Sequence, residues 1–498
     1  MFDFVMPNRS LEASPSGVAR AVAVNTVWGG AGRIAGGIFA LFTLAFTSRA
    51  LGPEGYGGYA TILAFLYLFS AIADGGLYQV LVRDISRSGS APSRLLATAL
   101  TLRLLSLGGF LLLGAAAFLA IPRYLSLAAG LPFAALSYAA LSLAQLLMAV
   151  FQKELVVHRA SLAEIAARIL QLLLTGALFF AGVRTIPLFL AVLAFTSAVQ
   201  LALMVVFLHG TLRVQIGTTI KEAKAMFREA LPVALSLAFT LVYFRLDTII
   251  LSLFRDPEEV GIYNLSYKLL EQLIFFPAMF VGVLTPILSD AFVRDRARFQ
   301  RILEKTSSII AMGAMPMLVG GWFLAEPLTL LLGGEAFRIA QEPMRVLLIA
   351  TFLIFFGTLL GNAVVVSGRQ RAAVPIYAMA MLFNIAVNVL VIPAYSYMGA
   401  AWTTVATELV VTAGLVLVLR RAAIAFTVPH AARIAGAALV MALPLFLFGR
   451  TLIASLGVAS LAPLLVLCPL LYLGALFAMR AVTREDIRLL FSVRTAGT

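Results

Sequence analysis

Apolar stretches of about 20 residues follow one another from near residue 25 to residue 479, separated by short polar gaps. In a bilayer core every backbone N–H and C=O must be satisfied by the protein itself, so runs of this length can only be membrane-spanning helices. They are too long and too uniformly apolar for the alternating strands, about ten residues each, of an outer-membrane barrel. Composition agrees: 62% of the 498 residues are hydrophobic, against roughly half in a soluble domain. We read fourteen spans, at roughly 25–48, 57–82, 95–120, 129–151, 161–182, 186–208, 229–253, 260–289, 306–330, 343–366, 372–393, 398–419, 431–449 and 458–479. The expected fold class is an all-α polytopic membrane protein.

A net charge of +14 would suggest nucleic acid as the partner of a soluble chain. Here its position makes it a topology signal. With the N-terminus inside, the gaps holding Arg83, Arg87 and Arg94, Lys153 and Arg159, Arg213 to Arg228, Arg294 to Lys305, Arg369 and Arg371, and Arg420 and Arg421 all fall on one side. With Arg9, Arg20, Arg480, Arg484, Arg488 and Arg494 the split is roughly 24 basic residues inside to 6 outside, a strong positive-inside bias. Both termini are expected in the cytoplasm, in a cell or inner membrane. An even number of spans is required for that.

Residues 1–20 carry Asp3, Arg9, Glu12 and Arg20 with no continuous apolar core, so they do not read as a cleavable leader. The single cysteine, Cys468, cannot form an intrachain disulfide, and no Cys or His cluster offers a metal site. His158, His209 and His430 fall at inner loops, and neither a catalytic setting nor a cofactor is expected. The outer gaps are on the order of ten residues or fewer, too short for an external domain. In the inner segment 290–305, Phe292, Phe299, Ile302 and Leu303 sit near helical spacing among arginines. That pattern suits a helix lying at the headgroups, or alternatively a solvated basic linker.

One short pattern occurs twice, each time between long apolar runs: Pro53-Glu54-Gly55-Tyr56-Gly57-Gly58-Tyr59 and Pro257-Glu258-Glu259-Val260-Gly261-Ile262-Tyr263. Both copies read Pro-Glu-x-x-Gly-x-Tyr, which suggests two related halves. Glycine and proline are expected to shape outer turns, and the tyrosines to sit at the membrane interface.

The stretch from Arg49 to Tyr59 resembles a hallmark of Wzx-type polysaccharide flippases. Similar pieces follow in order: Leu231-Pro232, Asp247 and Val260 to Asn264, then Asn362 to Arg369, Asn384, Asn388 and Ile392 to Ala400. The resemblance implies the multidrug/oligosaccharidyl-lipid/polysaccharide exporter fold, with two six-helix lobes around a central cavity and alternating access. Residues 1–212 would form the first lobe and 213–424 the second. Residues 425–498 would add two helices and a cytoplasmic tail, similar to the extra pair of the lipid II flippase branch. It also implies the ligand, a polyprenyl-pyrophosphate-linked glycan, and glycan polymerase or export machinery as possible partners beside membrane lipids.

Charges inside spans cost about 2.5–3.5 kcal/mol each on insertion scales, which makes them functional candidates by default. Arg33, Arg103, Arg168, Arg245 and Lys268 are the candidate cavity cations, while Arg345 and Arg433 lie near span ends and can snorkel. Guanidinium binds a compact diphosphate in bidentate fashion, and Arg33 and Arg245 are placed at the cavity wall by the resemblance. Asp74, Asp247, Glu164 and Glu271 are the candidate charge partners or coupling carboxylates, Asp74 foremost as a partner of Arg33. Against a ligand role, Glu164 with Arg168 (i, i+4) and Lys268 with Glu271 (i, i+3) can neutralise each other on one helix face. Asn25, Gln79, Gln145, Gln171, Asn362, Asn384 and Asn388 can meet a glycan, although bonding between helices is their commoner use. Gly32 and Gly36 permit close helix packing, and Pro277 and Pro286 can kink the eighth span.

The expected function is a flippase carrying a lipid-linked oligosaccharide from the cytoplasmic to the outer leaflet, not an enzyme. Two alternatives stand beside it. A cation-coupled multidrug exporter of the same fold would favour an acidic site, whereas the first span carries Arg33 and no carboxylate. A membrane glycosyltransferase, polymerase or ligase would need a sizeable outer loop with catalytic acids, histidines or arginines.

Overall fold

The computed structural model describes residues 15–86, 91–154, 156–209 and 216–481; the side chains of 15–34, 71, 232–244, 450, 453, 454 and 456 are not described. Arg9, Arg87, Arg213, Arg484, Arg488 and Arg494 therefore lie outside the described residues, as do the side chains of Arg20, Asn25, Arg33 and Arg450. Every described element is helical. They are α1 (Pro15–Asp74), α2 (Leu77–Ile85), α3 (Pro92–Leu119), α4 (Leu131–Lys153), α5 (Val157–Phe180), α6 (Ile186–Leu208), α7 (Ile220–Phe254), α8 (Pro257–Arg294), α9 (Arg296–Gly333), α10 (Gln341–Val366), α11 (Gln370–Arg421), α12 (Ala431–Leu456) and α13 (Leu461–Ala478). Short 3₁₀ turns occupy Pro122–Gly130, Glu335–Ala340 and Gly457–Ser460.

Among the described residues eleven helical runs are long and apolar enough to cross a membrane. Two of them, Ala35–Ile85 and Gln370–Arg421, are 51 and 52 residues long. At about 1.5 Å per residue either would reach roughly 75 Å if straight, far beyond a hydrocarbon core of about 30 Å. Each is broken by a residue off the helical conformation, Gly52 (φ 67°) in α1 and Ser396 (φ 52°) in α11. Glycine enters the left-handed region freely at the first break, whereas the serine at the second is held against its preference. Each long run therefore consists of two arms.

The chain runs back and forth between two ends. One, here the motif end, gathers Gly52, Pro122–Gly130, the α7–α8 junction, the α9–α10 junction and Ser396. There the Ser48 hydroxyl donates to the Leu332 carbonyl (2.7 Å), and Arg49 Nη2 donates to those of Leu330 and Leu331 (2.8 and 2.9 Å). Arg123 pairs with Asp256 (2.8 Å), and Tyr124 meets Ser252 (2.6 Å). At the opposite, basic end, Arg83 pairs with Glu229, Arg94 with Glu222, and the Thr98 and Thr218 hydroxyls meet at 3.0 Å.

The two motif copies cross at the motif end. A Cβ on Gly57 would collide with the Pro257 carbonyl and the Gly261 nitrogen, and one on Gly261 with the Pro53 carbonyl and the Gly57 nitrogen. Only hydrogen at both positions permits this backbone-to-backbone approach.

The segment 290–305 is neither a helix lying flat nor a solvated linker. It is a sharp turn: α8 runs to Arg294, and Asp295 caps α9, accepting from the Arg298 N–H (3.0 Å). Phe299 and Leu303, four apart, are buried in the core formed by α8 to α13, so their spacing marks the inward stripe of α9. The stretch before α12 is tied to α9 as well, with the Ser307 hydroxyl donating to the Thr427 carbonyl (2.7 Å) and Ser308 to that of Pro429 (3.0 Å). Helices α12 and α13 pack there through Ile434, Met441, Leu464 and the buried Cys468.

Candidate functional site

A cavity of about 660 Å³ lies between α1, α4, α5 and α8. Both arms of α1 line it, Gly36 to Thr47 from one and Tyr56 to Leu63 from the other, because the break at Gly52 turns them toward the same space. From α5 come Glu164, Arg168 and Gln171, and from α8 Lys268, Glu271, Gln272, Phe275 and Phe276. The spacing of Lys268, Glu271 and Gln272 puts one polar stripe of an otherwise apolar helix into the cavity.

Glu271 is the centre of the charge arrangement. Lys268 Nζ donates to its Oε2 at 2.7 Å, and Arg245 Nη2 reaches Oε1 at 2.7 Å from α7. One carboxylate thus serves two cations. The Arg245 guanidinium also lies over the Tyr67 ring, 4.8 Å from its centroid, a cation–π contact that partly offsets its desolvation. Across the cavity Arg168 and Glu164 stand 3.8 Å apart, beyond hydrogen-bond distance, and both are about one third exposed. Lys268 and Arg168 line this space together with Glu271 and Glu164, while Arg245 is not part of the wall and stands behind Glu271. Counted with it, three cations accompany two carboxylates here.

The expected self-pairing of Lys268 with Glu271 is present, but Arg245 shares the acid, so the group is not neutral. One expected cavity cation, Arg103, is elsewhere. Arg103 is fully buried within α3, paired to Asp74 and donating to the Ser142 hydroxyl (2.7 Å). It faces a helix junction, where Gly75 and Gly76 (φ 53° and 70°) separate α1 from α2. Asp74 is accordingly the partner of Arg103. The side chain of Arg33 lies outside the described residues.

Asp247 forms a separate site within the packing of α7, α8 and α11. It is 3% exposed. Its Oδ1 accepts from the Asn388 amide (2.6 Å), and its Oδ2 accepts from the hydroxyls of Thr404 (2.9 Å) and Tyr263 (3.1 Å). Asn388 also donates to Asn384 Oδ1 (3.0 Å), and Asn384 donates to Thr407 (3.1 Å). Among the described residues no cation lies within ion-pair distance of Asp247. Asn388 Oδ1 is buried with no hydrogen-bond partner. Asn384 and Asn388 thus bond within the protein, Asn362 donates to Thr285 (2.8 Å), and Gln171 faces the cavity.

The motif tyrosines face the protein interior. Tyr59 lines the cavity, and Tyr263 is fully buried with its hydroxyl on Asp247. Both point inward because their helices cross at glycine, leaving the next turn facing the protein. Sequence reasoning also missed Tyr56, Tyr138, Thr43 and Gln272 in the cavity wall. The signal available was the density of tyrosine in α1, with Tyr56 and Tyr59 stacked at 6.0 Å. The repeat itself therefore supplies a cavity residue as well as a turn.

Comparison with known proteins places this architecture. The family model described as "Polysaccharide biosynthesis protein" matches residues 22–292, more than half of the chain. The chain belongs to that polysaccharide biosynthesis protein family. A second model, MatE, matches residues 232–390. The Shigella flexneri protein named "Putative O-antigen transporter" is 22% identical over 394 residues, covering 76% of this chain and 92% of that protein. Among solved structures, the lipid II flippase MurJ in its inward closed conformation superposes with a TM-score of 0.71 at 14% identity, over 91% of this chain and 98% of that one. An inward-facing multidrug resistance MATE family transporter of the MOP superfamily gives 0.59 at 12% identity, over 78% and 95%. The fold is that of the MOP superfamily transporters, and the helices are those of a multi-pass membrane protein.

Proposed function

We propose that this family member is a flippase for a polyprenyl-diphosphate-linked oligosaccharide, moving it from the cytoplasmic to the outer leaflet for cell-surface polysaccharide synthesis. The observation that carries this is the cavity itself, lined by Lys268 and Arg168 with Glu271 and Glu164 and backed by Arg245 on Glu271. A diphosphate entering it finds cations already positioned, and its charge offsets the excess. Lys268 and Arg168, which line the cavity, meet the diphosphate first, and Arg245 supports them from behind Glu271, keeping N–H groups for a phosphate that draws Glu271 aside. Tyr56, Tyr59, Gln171 and Gln272 offer hydroxyl, amide and ring faces to sugars.

The movement follows as alternating access between lobes 1–212 and 213–424, with 425–498 appended, fourteen spans in all and both termini cytoplasmic. The Gly57–Gly261 crossing closes the outer side while the cargo loads from the other. Outward transfer of an anion against a negative interior gains up to about 2.3 kcal/mol per charge per 100 mV. Asp247, buried without a cation, is the coupling carboxylate of this scheme; taking up a proton or a monovalent cation would change the packing of α7 against α11. A positive cavity opposes the multidrug alternative for cationic drugs.

The test is transfer of a fluorescent polyprenyl-diphosphate oligosaccharide across proteoliposomes. Wild type is expected to expose the probe to the opposite leaflet, and Arg245→Ala with Lys268→Ala to abolish this while remaining monodisperse. Full transfer by a folded double variant would refute the anion site.

A further inference from the structure

A second and larger recess, about 1000 Å³, opens between α9–α10 and the appended pair α12–α13 at the motif end. It shares no residue with the central cavity. Trp322, Phe323, Phe446 and Leu464 give it apolar and aromatic patches within a lining whose exposed surface is more polar than apolar, and its rim is ionic. The patches suit acyl chains, and the polar surface suits a headgroup.

The rim charges divide unequally. Arg338 is held by Glu326 (2.5 Å) and more loosely by Glu335 (3.6 Å). Arg345 has no carboxylate within ion-pair distance among the described residues. It donates from Nε to the Trp322 carbonyl (3.1 Å) and from Nη2 to Gln341 Oε1 (3.0 Å). Both partners are neutral, so among the described residues its charge has no ion-pair partner. Pro327 lacks an N–H, which leaves the Phe323 carbonyl without its helical donor, one residue from the Trp322 carbonyl that Arg345 takes. Glu335, with 77% of its side chain exposed, is the counterpart, a carboxylate with capacity to spare.

We propose that this recess is a binding site for one zwitterionic glycerophospholipid of the phosphatidylethanolamine type. Its phosphate sits on Arg345, its ammonium faces Glu335, and its chains lie along Trp322, Phe446 and Leu464. The charges favour this occupant: two arginines and two carboxylates leave the rim neutral overall but polarised, with the free positive group at Arg345. The lipid fills the seam between the second half of the chain and the appended pair. In the proposed topology this is the outer leaflet, but the binding does not depend on that topology or on transport.

The test is native mass spectrometry of the full chain in mild detergent, titrated separately with dioleoyl phosphatidylethanolamine, dioleoyl phosphatidylglycerol, dioleoylglycerol and undecaprenyl phosphate. Phosphatidylethanolamine is expected to bind about tenfold tighter than dioleoylglycerol, as a charge-assisted phosphate contact implies. Arg345→Gln should erase that preference, and Arg433→Gln, at the basic end, should keep it. Because Arg345 also braces α9, Gly449→Phe provides an independent block: it lines the recess, nothing lies within 4 Å of its Cβ position, and Arg345 is untouched. It should lower phosphatidylethanolamine binding about tenfold or more. Equal binding of dioleoylglycerol, a preference for phosphatidylglycerol or undecaprenyl phosphate, or unchanged binding in Gly449→Phe would overturn the assignment.

Discussion

Two carboxylates inside the membrane-spanning part, half-buried Asp74 and buried Asp247, one in each half of the chain, are met in opposite ways. Asp74 faces the guanidinium of Arg103, which is wholly buried and also bonded to Ser142. Among the described residues Asp247 faces amides and hydroxyls, from Asn388, Thr404 and Tyr263. The first arrangement is electrically closed. Removing either partner leaves a charge in a low-dielectric core, so the pair holds the α1–α2 junction in one form. The second arrangement leaves a negative charge open to compensation by something that comes and goes. A static brace and an exchangeable site can thus be built from the same residue type, and the partners decide which.

The largest effect expected from breaking this contrast is at the brace. Arg103→Ala should cost about 3–5 kcal/mol by stranding Asp74, seen as loss of monodisperse protein or a steep fall in thermal midpoint. The double variant Arg103→Met with Asp74→Asn should recover much of it. An Arg103→Ala protein as stable as wild type would show that the pair does not brace the junction.

Next in size is the cavity, where the arrangement lies between the two extremes. Arg245→Ala should lower proteoliposome transfer roughly 10- to 100-fold, the worth of one or two charged hydrogen bonds. Stability should change far less than in Arg103→Ala, since Glu271 keeps Lys268. A variant that loses stability and keeps transfer would assign Arg245 to packing instead.

Asp247→Asn sharpens the comparison most directly. The amide nearly matches the carboxylate in shape, so the fold should persist with a loss of about 1 kcal/mol or less. Asp74→Asn should cost more, because Arg103 would then be stranded. Transfer by Asp247→Asn should lose any dependence on pH or sodium that wild type shows. Retention of the full dependence would remove Asp247 from coupling.

The smallest effect concerns a carboxylate in water. Glu222, in the first turn of α7, accepts from the N–H and hydroxyl of Thr219, which holds its carboxyl below the ordinary range. A depressed value means stabilisation present above the ordinary carboxylate range and lost as pH falls through it. Thr219→Ala should therefore lower the thermal midpoint slightly near neutrality, and the gap from wild type should narrow on acidification. A gap that widens in acid would contradict that sign.

Some of the site was legible along the chain and some was not. Lys268 with Glu271 and Glu164 with Arg168 were visible because helical spacing alone brings them together. The share of Glu271 taken by Arg245 was not, since the two sit on different helices. Arg103 looked like a cavity cation because an arginine in a span carries the same signal whether it faces a channel or a carboxylate. The cavity tyrosines were hidden for a related reason: in a chain apolar on every face, hydrophobic periodicity does not mark which side meets lipid. The basic 290–305 segment was misjudged because the first turns of α9 carry the same helical spacing whether their apolar stripe faces headgroups or the core.

What the sequence determined by itself was the class of molecule: membrane-length helices, short connections, a doubled motif and a one-sided distribution of arginine. These are local or cumulative properties, enforced by the need to satisfy the backbone in lipid and by the energy of placing charge across it. What only the tertiary structure decided was the partner of each charge. Pairing between helices depends on crossings such as Gly57 on Gly261 and on breaks such as Gly52, and these bring together groups as far apart in the chain as Asp247 and Asn388. Coulomb energy falls with distance in space and takes no account of distance along the chain. Tertiary packing thus made a brace of Asp74, left Asp247 without a cation, and gave Glu271 two.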